Sequence, residues 1–400
     1  MNAKQNLYSI CIMVLDRLEI SILLFVLVGI ILVREYMPKI TSYLDGKHED
    51  PAFLAVLHQH TKIVKDSSEA DIVVPVESST VASPQTGQVL IHVSNDKVIM
   101  DRNSLWKLFC RKGGRSFASE YIPEIFIICQ DSASDDYEEF LKRKTEWPSL
   151  MFRPFILKNE AKNDTEGLYM TQSDLEDGLK ELKNNNLLTR TFATQLDSVY
   201  NLQYTVIQKV ISNPYIHMSR GFKLELYIAF TSEGGKTSGH CFHDGLVYWT
   251  RSRWNPNDQT IDNTVASRSL MRKGRTREKY ERVYSRYPRT LQELMKALGN
   301  EKSRAMFSDV LRVLKKMCEI CCKEIGNEFT DNSTSGLYAV EVALDDKSRA
   351  WLLQISKPPG YSDTQAHETK LRTEVWEDLF KIQNVILTQN ESKFSTIYEQ

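Results

Sequence analysis

A chain of 400 residues has room for two or three domains, and its 42% hydrophobic and 26% charged content excludes a collagen-like, low-complexity or wholly disordered protein. Its 51 Lys+Arg offset 52 Asp+Glu, so no global field draws it to nucleic acid or to a membrane surface. Seven cysteines are too few for a disulfide scaffold of this length.

The first element in chain order is Ile20 to Val33, fourteen residues without a charge. Extended from Leu18 to Met37 it reaches the ~20 residues that a spanning helix needs, with Glu19, Arg34 and Glu35 at the interface. The run is apolar on every side, which predicts a bilayer anchor more readily than a buried helix with one apolar stripe. No small-residue cleavage site follows Val33, which disfavours a cleaved signal peptide. Lys4 and Arg17 lie before the run and Arg34 and Lys39 after it, so the flanking charges leave the topology open. Sequons at Asn163, Asn332 and Asn390 do not choose the side either.

After this anchor segment (1–39), residues 40–90 read as a linker and the start of a first subdomain. They hold an apolar stretch from Phe53 to Leu57, a strand-like run at Ile72 to Val76 and a polar tract from Ser78 to Gln88. From about residue 90, strand and helix signals alternate, the pattern of an α/β or α+β domain. Ser173-Asp-Leu-Glu176 reads as a capping box that opens a helix to about Lys183. Phe222, Leu224, Leu226, Ile228 and Phe230 alternate with period two and predict a strand with one apolar face. Thr290-Leu-Gln-Glu293 is a second capping box, with Gly299 as the stop signal. Phe307, Val310, Leu311, Leu314, Cys318, Cys321 and Ile325 form a helical stripe ending near Gly326. Leu337 to Leu344 and Trp351 to Ile355 predict two strands joined by a polar turn.

Several motifs fail on inspection. Gly235-Lys236-Thr237 resembles the end of a phosphate-binding loop, but Phe230 stands where the loop needs a further Gly, so a hairpin turn is the better reading. Cys318, Cys321 and Cys322 lack a second ligand pair at metal spacing and read as core. His240 and His243 flank Cys241 in a probable strand and read as structural.

The stretch from Arg268 to Arg289 holds nine Lys/Arg against two Glu. A solvated charge run is the default reading. The alternative is a docking patch for an acidic partner, formed by Arg268, Arg272, Lys273, Arg275, Arg277, Lys279 and Arg282. Tyr280, Tyr284 and Tyr287 are interleaved, an arrangement also seen in single-strand binders, but nucleic acid is not the expected partner.

Taken in order, a series of segments from about 91 to 385 resembles the tubulin–tyrosine-ligase-like family. Leu90 to Ser94 with Asp101 to Leu105 is similar to the family's entry segment, and Tyr121 to Phe126 to its proline-centred strand. Phe155 to Lys158 followed by Thr165 to Leu168 resembles the lysine strand and phosphate-covering loop. Val206 to Lys209 with Asn213-Pro214 resembles the adenine hinge. Phe222 to Ile228, Asp244 to Val247 and Trp351 to Ser356 resemble the strand after the hinge, the following turn and the closing metal-ligand strand. The resemblance implies an α/β (α+β) ATP-grasp-like domain over 91–385, preceded by a single transmembrane helix and followed by a tail over 386–400. It also implies ATP with Mg²⁺ as cofactors and an amino-acid ligation, in most members onto a tubulin tail.

By that resemblance Lys158, Gly167, Gln208 and Lys209 are the nucleotide-binding candidates, and Glu341, Gln354 and Ser356 the metal candidates. The pattern then departs from the family. Lys223 and Glu225 stand where the family has Asp and Arg, Tyr248 stands in place of an Arg, and Thr264 to Ser267 replaces a His-Leu-Thr-Asn tetrad. If Leu344 lies opposite Trp351, Glu341 faces Gln354 with Ser356 on the same face, where the family pattern is Asp, Glu and Asn. One carboxylate is a poor holder for Mg²⁺. The expectation is therefore a membrane-anchored family member with a degenerate catalytic site that binds acidic tubulin tails. The alternatives are an active tubulin polyglutamylase or related ligase and a membrane-tethered polyanion-binding module, with the bilayer engaged through Ile20–Val33. The cytosolic side is favoured only if tubulin is the partner.

Overall fold

The computed structural model describes residues 40–44, 50–75, 87–93, 96–129, 150–154, 204–211, 213–257, 284–326, 334–358, 366–384 and 391–399, with isolated positions at 136, 139, 140, 142 and 266. Among these residues no helix is long and apolar enough to cross a membrane. The Ile20–Val33 run, the Ser173 helix, Lys158, Gly167 and most of the basic stretch lie outside them.

Two long strands dominate. β9 (Arg220–Glu233) and β10 (Lys236–Trp249) pair antiparallel across a two-residue turn. Gly234 and Gly235 both hold positive φ, 57° and 77°, the backbone of the hairpin turn that matches strand twist. The turn reading of Gly235-Lys-Thr is therefore correct.

β11 (Thr334–Leu344) pairs antiparallel with the other edge of β9. The start of β11 then runs parallel to β4 (Val89–Ile91), and its end pairs antiparallel with β12 (Ala350–Ser356). Beyond β4 the sheet continues in parallel through β3 (Ile72–Val74), β1 (Thr41–Leu44) and β2 (Lys62–Ile63). At the opposite end β13 (Phe394–Glu399) covers the edge of β10, and short β8 (Ile216–His217) pairs with β9. A separate antiparallel sheet has the order β5 (Ile125–Cys129), β7 (Tyr204–Lys209), β6 (Leu150–Pro154).

Helices cover both faces of the large sheet, the layered solution for an α/β domain. On one face the even-numbered apolar residues of β9, from Phe222 to Phe230, pack in one cluster with Leu291 and Leu294 of α4 (Leu291–Leu298) and Val310, Leu314, Cys318 and Cys321 of α5 (Asn300–Ile325). Each such buried side chain contributes roughly 1.5–3 kcal/mol. The cysteines are core, as expected: burial pushes the Cys322 thiol up to about 12 and the Cys318 and Cys321 thiols well above their ordinary range. Thr290 caps α4 through the Glu293 amide, and Gly299, at φ 78°, separates α4 from α5.

On the other face Tyr227, Ala229, Leu337 and Ala339 meet α1 (Pro51–His60) and α6 (Ala366–Ile382). The Phe53–Leu57 stretch belongs to α1, which Asp50 caps by accepting from the Ala52 amide. The Lys97–Met100 turn (α2) leads into α3 (Arg102–Ala118), capped by Asp101.

Candidate functional site

The odd-numbered residues of β9 face α1 and α6, and at the Arg220 end of the strand this face turns polar. Lys223 and Glu225 are followed by Tyr227 on the same side. Cross-strand register then decides their company. Glu225 lies opposite Glu341 of β11 and opposite Leu246 of β10, while Lys223 lies opposite Tyr248. Gln354 of β12 lies opposite Glu341 in turn, and Ser356 opposite Ala339. Six of the residues singled out in the sequence (Lys223, Glu225, Tyr248, Glu341, Gln354 and Ser356) thus share one sheet face over four adjacent strands.

Glu341 faces Gln354 as predicted, but not by the predicted register. Leu344 pairs with Ala350 rather than Trp351, and a bulge between Glu341 and Val342 restores the pairing. A bulge places one extra residue on one strand, so an offset of one before it vanishes after it. The predicted turn at Asp244–Val247 is also corrected. β10 runs through these residues, and the irregularity is a bulge between Cys241 and Gly245. Asp244 accepts from the Gly245 and Gln292 amides, tying the bulge to the start of α4.

The charges in the cluster are already engaged with one another. The Lys223 ammonium donates to a Glu341 carboxylate oxygen at 2.5 Å. It also lies 5.7 Å from the centre of the Tyr248 ring, within cation–π range. Buried Glu225 accepts from the Tyr227 hydroxyl at 3.0 Å. The Arg102 guanidinium, at the start of α3, donates to the side-chain oxygen of Gln354 at 2.7 Å. Arg102 and Tyr227 escaped the sequence reading. The period-two pattern of β9 places Tyr227 on the charged face, but nothing local marks Arg102, which is 252 residues from its partner.

This donor set does not fit the divalent cation that the resemblance implies. The single carboxylate at the metal positions holds an ammonium, and the neutral amide beside it holds a guanidinium. With an ammonium ~4 Å away and an effective dielectric near 20, a doubly charged ion would meet roughly 8 kcal/mol of repulsion. Partial exposure of the pair, 12% for Lys223 and 22% for Glu341, reduces this but does not reverse its sign. Among the described residues no group of three or more His, Cys, Asp or Glu is arranged to hold a metal.

The hinge candidates sit on the second sheet. Gln208 is buried in β7, and its side-chain NH₂ has no hydrogen-bond partner among the described residues. Lys209 is exposed, and its backbone amide donates to the Glu124 carbonyl at 2.8 Å. His240 is structural, with its ring nitrogens 2.8 and 3.0 Å from the Thr231 and Thr396 hydroxyls.

Comparison with known proteins adds a family. The tubulin-tyrosine ligase family matches residues 80–393. The chain is 24% identical over 197 residues to the probable tubulin polyglutamylase TTLL9 of Bos taurus, a stretch that takes in 48% of the chain and 41% of the relative. To the protein of the same description from Rattus norvegicus it is 23% identical over 203 residues, with the same two coverages. The match thus spans less than half the length of these curated relatives.

Proposed function

Because the chain belongs to the tubulin-tyrosine ligase family, we propose that it binds acidic tubulin tails, or a partner of similar charge, through a family domain whose nucleotide and metal site is degenerate. The observation that carries this reading is the ion pair between Lys223 and Glu341, with Arg102 on Gln354 beside it. In a ligase of this kind the cleft must hold a magnesium nucleotide and stabilise developing phosphoryl charge, work done by cations around phosphate and by acidic oxygens around metal. Here the acidic oxygen at the metal position is spent on an internal cation, and Glu225 opposes it from the next strand with a further negative charge. In the same reading ATP and Mg²⁺ are not used, and Ile20–Val33 tethers the domain to a bilayer, supported by its uncharged length.

The test is incorporation of labelled glutamate into tubulin by the full chain with ATP and Mg²⁺. No incorporation above background is expected. Incorporation that disappears in Glu341→Gln would instead establish the second reading, an active polyglutamylase. That reading is favoured by the similarity to two probable tubulin polyglutamylases.

A further inference from the structure

We infer that the turn between β8 and β9 and the described end of the basic stretch form one docking face for an acidic peptide, with Arg220, Arg253 and Arg286 as its carboxylate contacts. The inference rests on the reading of an acidic partner and deepens it by placing the contact on folded residues. It is indifferent to whether the nucleotide site works.

Three observations carry it. Residues 215–222, 249–257 and 284–289 hold five Arg and no Asp or Glu, and hydrogen bonds join the three segments. The Tyr287 hydroxyl donates to the Met218 carbonyl at 2.9 Å, the Trp254 amide to the Ser219 carbonyl at 2.7 Å and the Trp249 indole to the Pro288 carbonyl at 2.7 Å. Arg253 and Arg286 are exposed, and neither is ion-paired among the described residues. The second observation is the turn itself. Met218 and Ser219 both hold positive φ, 48° and 67°, where Asn-Gly is the usual choice. The bonds to their carbonyls fix a backbone that these residues disfavour, and Met218 stays exposed at the tip. The third is an unspent cation at the base of the turn. The half-buried Arg220 guanidinium donates through Nη1 to the Thr250 and Arg251 carbonyls and lies 5.6 Å from the centre of the Tyr287 ring. Its buried Nε has no hydrogen-bond partner, and directly across the turn the buried Nε2 of His217 has none either. The fork of an arginine pairs with a carboxylate through two parallel bonds, so a peptide carboxylate satisfies the donor that the fold leaves open. From Arg286 back to Arg268 the sequence repeats its cations, which matches a run of carboxylates better than one isolated anion.

The experiment is fluorescence anisotropy of a labelled oligoglutamate peptide titrated with the full chain at low salt. Arg253→Glu with Arg286→Glu is expected to weaken binding tenfold or more, and Arg253→Gln with Arg286→Gln to weaken it by a smaller factor. Arg220→Lys keeps the charge but not the planar fork and is expected to weaken binding about threefold. Lys62→Glu with Lys65→Glu changes the net charge equally at the far edge of the large sheet and is expected to shift affinity less than twofold. Equal losses in the two charge-reversed pairs, or no loss in either, overturn the docking face and leave the acidic-partner reading standing on Arg272 and Lys273. A wild type that binds no acidic peptide sinks that reading itself. Wild type that binds phosphatidylserine vesicles but not the peptide, and releases them on the Arg253 and Arg286 reversal, assigns the face to a membrane and also overturns the inference.

Discussion

At the residue scale, Gly245 shows how tightly the candidate site is built. It stands at the bulge of β10, where the strand comes back into register opposite Leu226. A Cβ added there would lie 2.5 Å from the Glu225 carbonyl oxygen and 2.7 Å from Leu226 Cδ2. The first neighbour is backbone and cannot rotate away, so the strands must part. Gly245→Ala is expected to destabilise the fold by about 1–3 kcal/mol, the usual cost of overpacking a core. Urea denaturation measures it, and an unchanged midpoint would show that the bulge has slack. The same contact places Glu225 within a rigid setting, so its charge is part of the site's design rather than a mobile surface group.

At the scale of elements, β13 is held against β10 partly by His240, whose ring lies between Thr231 and Thr396 on neighbouring strands. Burial holds the imidazole below its ordinary value of 6.5, with the Glu399 carboxylate opposing weakly. Because the folded value lies below the unfolded one, protons bind the unfolded chain preferentially. The contribution of His240 is therefore complete above pH 6.5 and is lost as pH falls below that value toward the folded one. His240→Gln keeps a neutral donor and acceptor but cannot titrate. The melting temperature of wild type is expected to fall more steeply than that of His240→Gln between pH 7 and pH 5. Parallel slopes would remove His240 from the account. Asp309 behaves in the opposite sense at the β11–β12 turn. Burial raises its carboxyl, yet the two bonds from Arg312 and the Ala350 amide outweigh that and leave it lowered.

For the whole molecule, the proposed binding of an acidic partner has to come from a nearly neutral chain. The surplus of seven positive charges between Arg268 and Arg289 leaves the remainder of the chain acidic, so the attraction is local rather than global. With Arg272→Glu and Lys273→Glu together, binding to acidic tubulin-tail peptides is expected to weaken by tenfold or more at low salt, and wild-type binding to weaken as salt rises. Fluorescence anisotropy with labelled peptides reads both. Tail binding that ignores the charge reversal would move the docking surface elsewhere. The proposal also requires the domain to face the cytosol. With the proposed tether at Ile20–Val33, protease protection tests this, and a glycan on Asn163 or Asn332 would exclude tubulin as partner.

Much of the architecture was legible because it depends on short-range geometry. The alternation along Phe222–Phe230 identified β9 and its apolar face, the Thr290 box and Gly299 bounded α4, and the stripe from Phe307 to Ile325 identified α5. These patterns follow from the periods of strand and helix, which each segment carries within itself. The departures at Lys223, Glu225 and Gln354 could likewise be read from the chain. Their meaning could not. Lys223 and Glu341 lie 118 residues apart, Arg102 and Gln354 lie 252 apart, and two bulges, one shifting the register by a single residue and the other by two, set which side chains meet. Partners at such distances are chosen by the burial of whole sheet faces, and register by the bulges that burial tolerates. Periodicity therefore carried the layers of this fold, and the family resemblance marked its unusual charges, while the folded sheet alone joined those charges into one cluster.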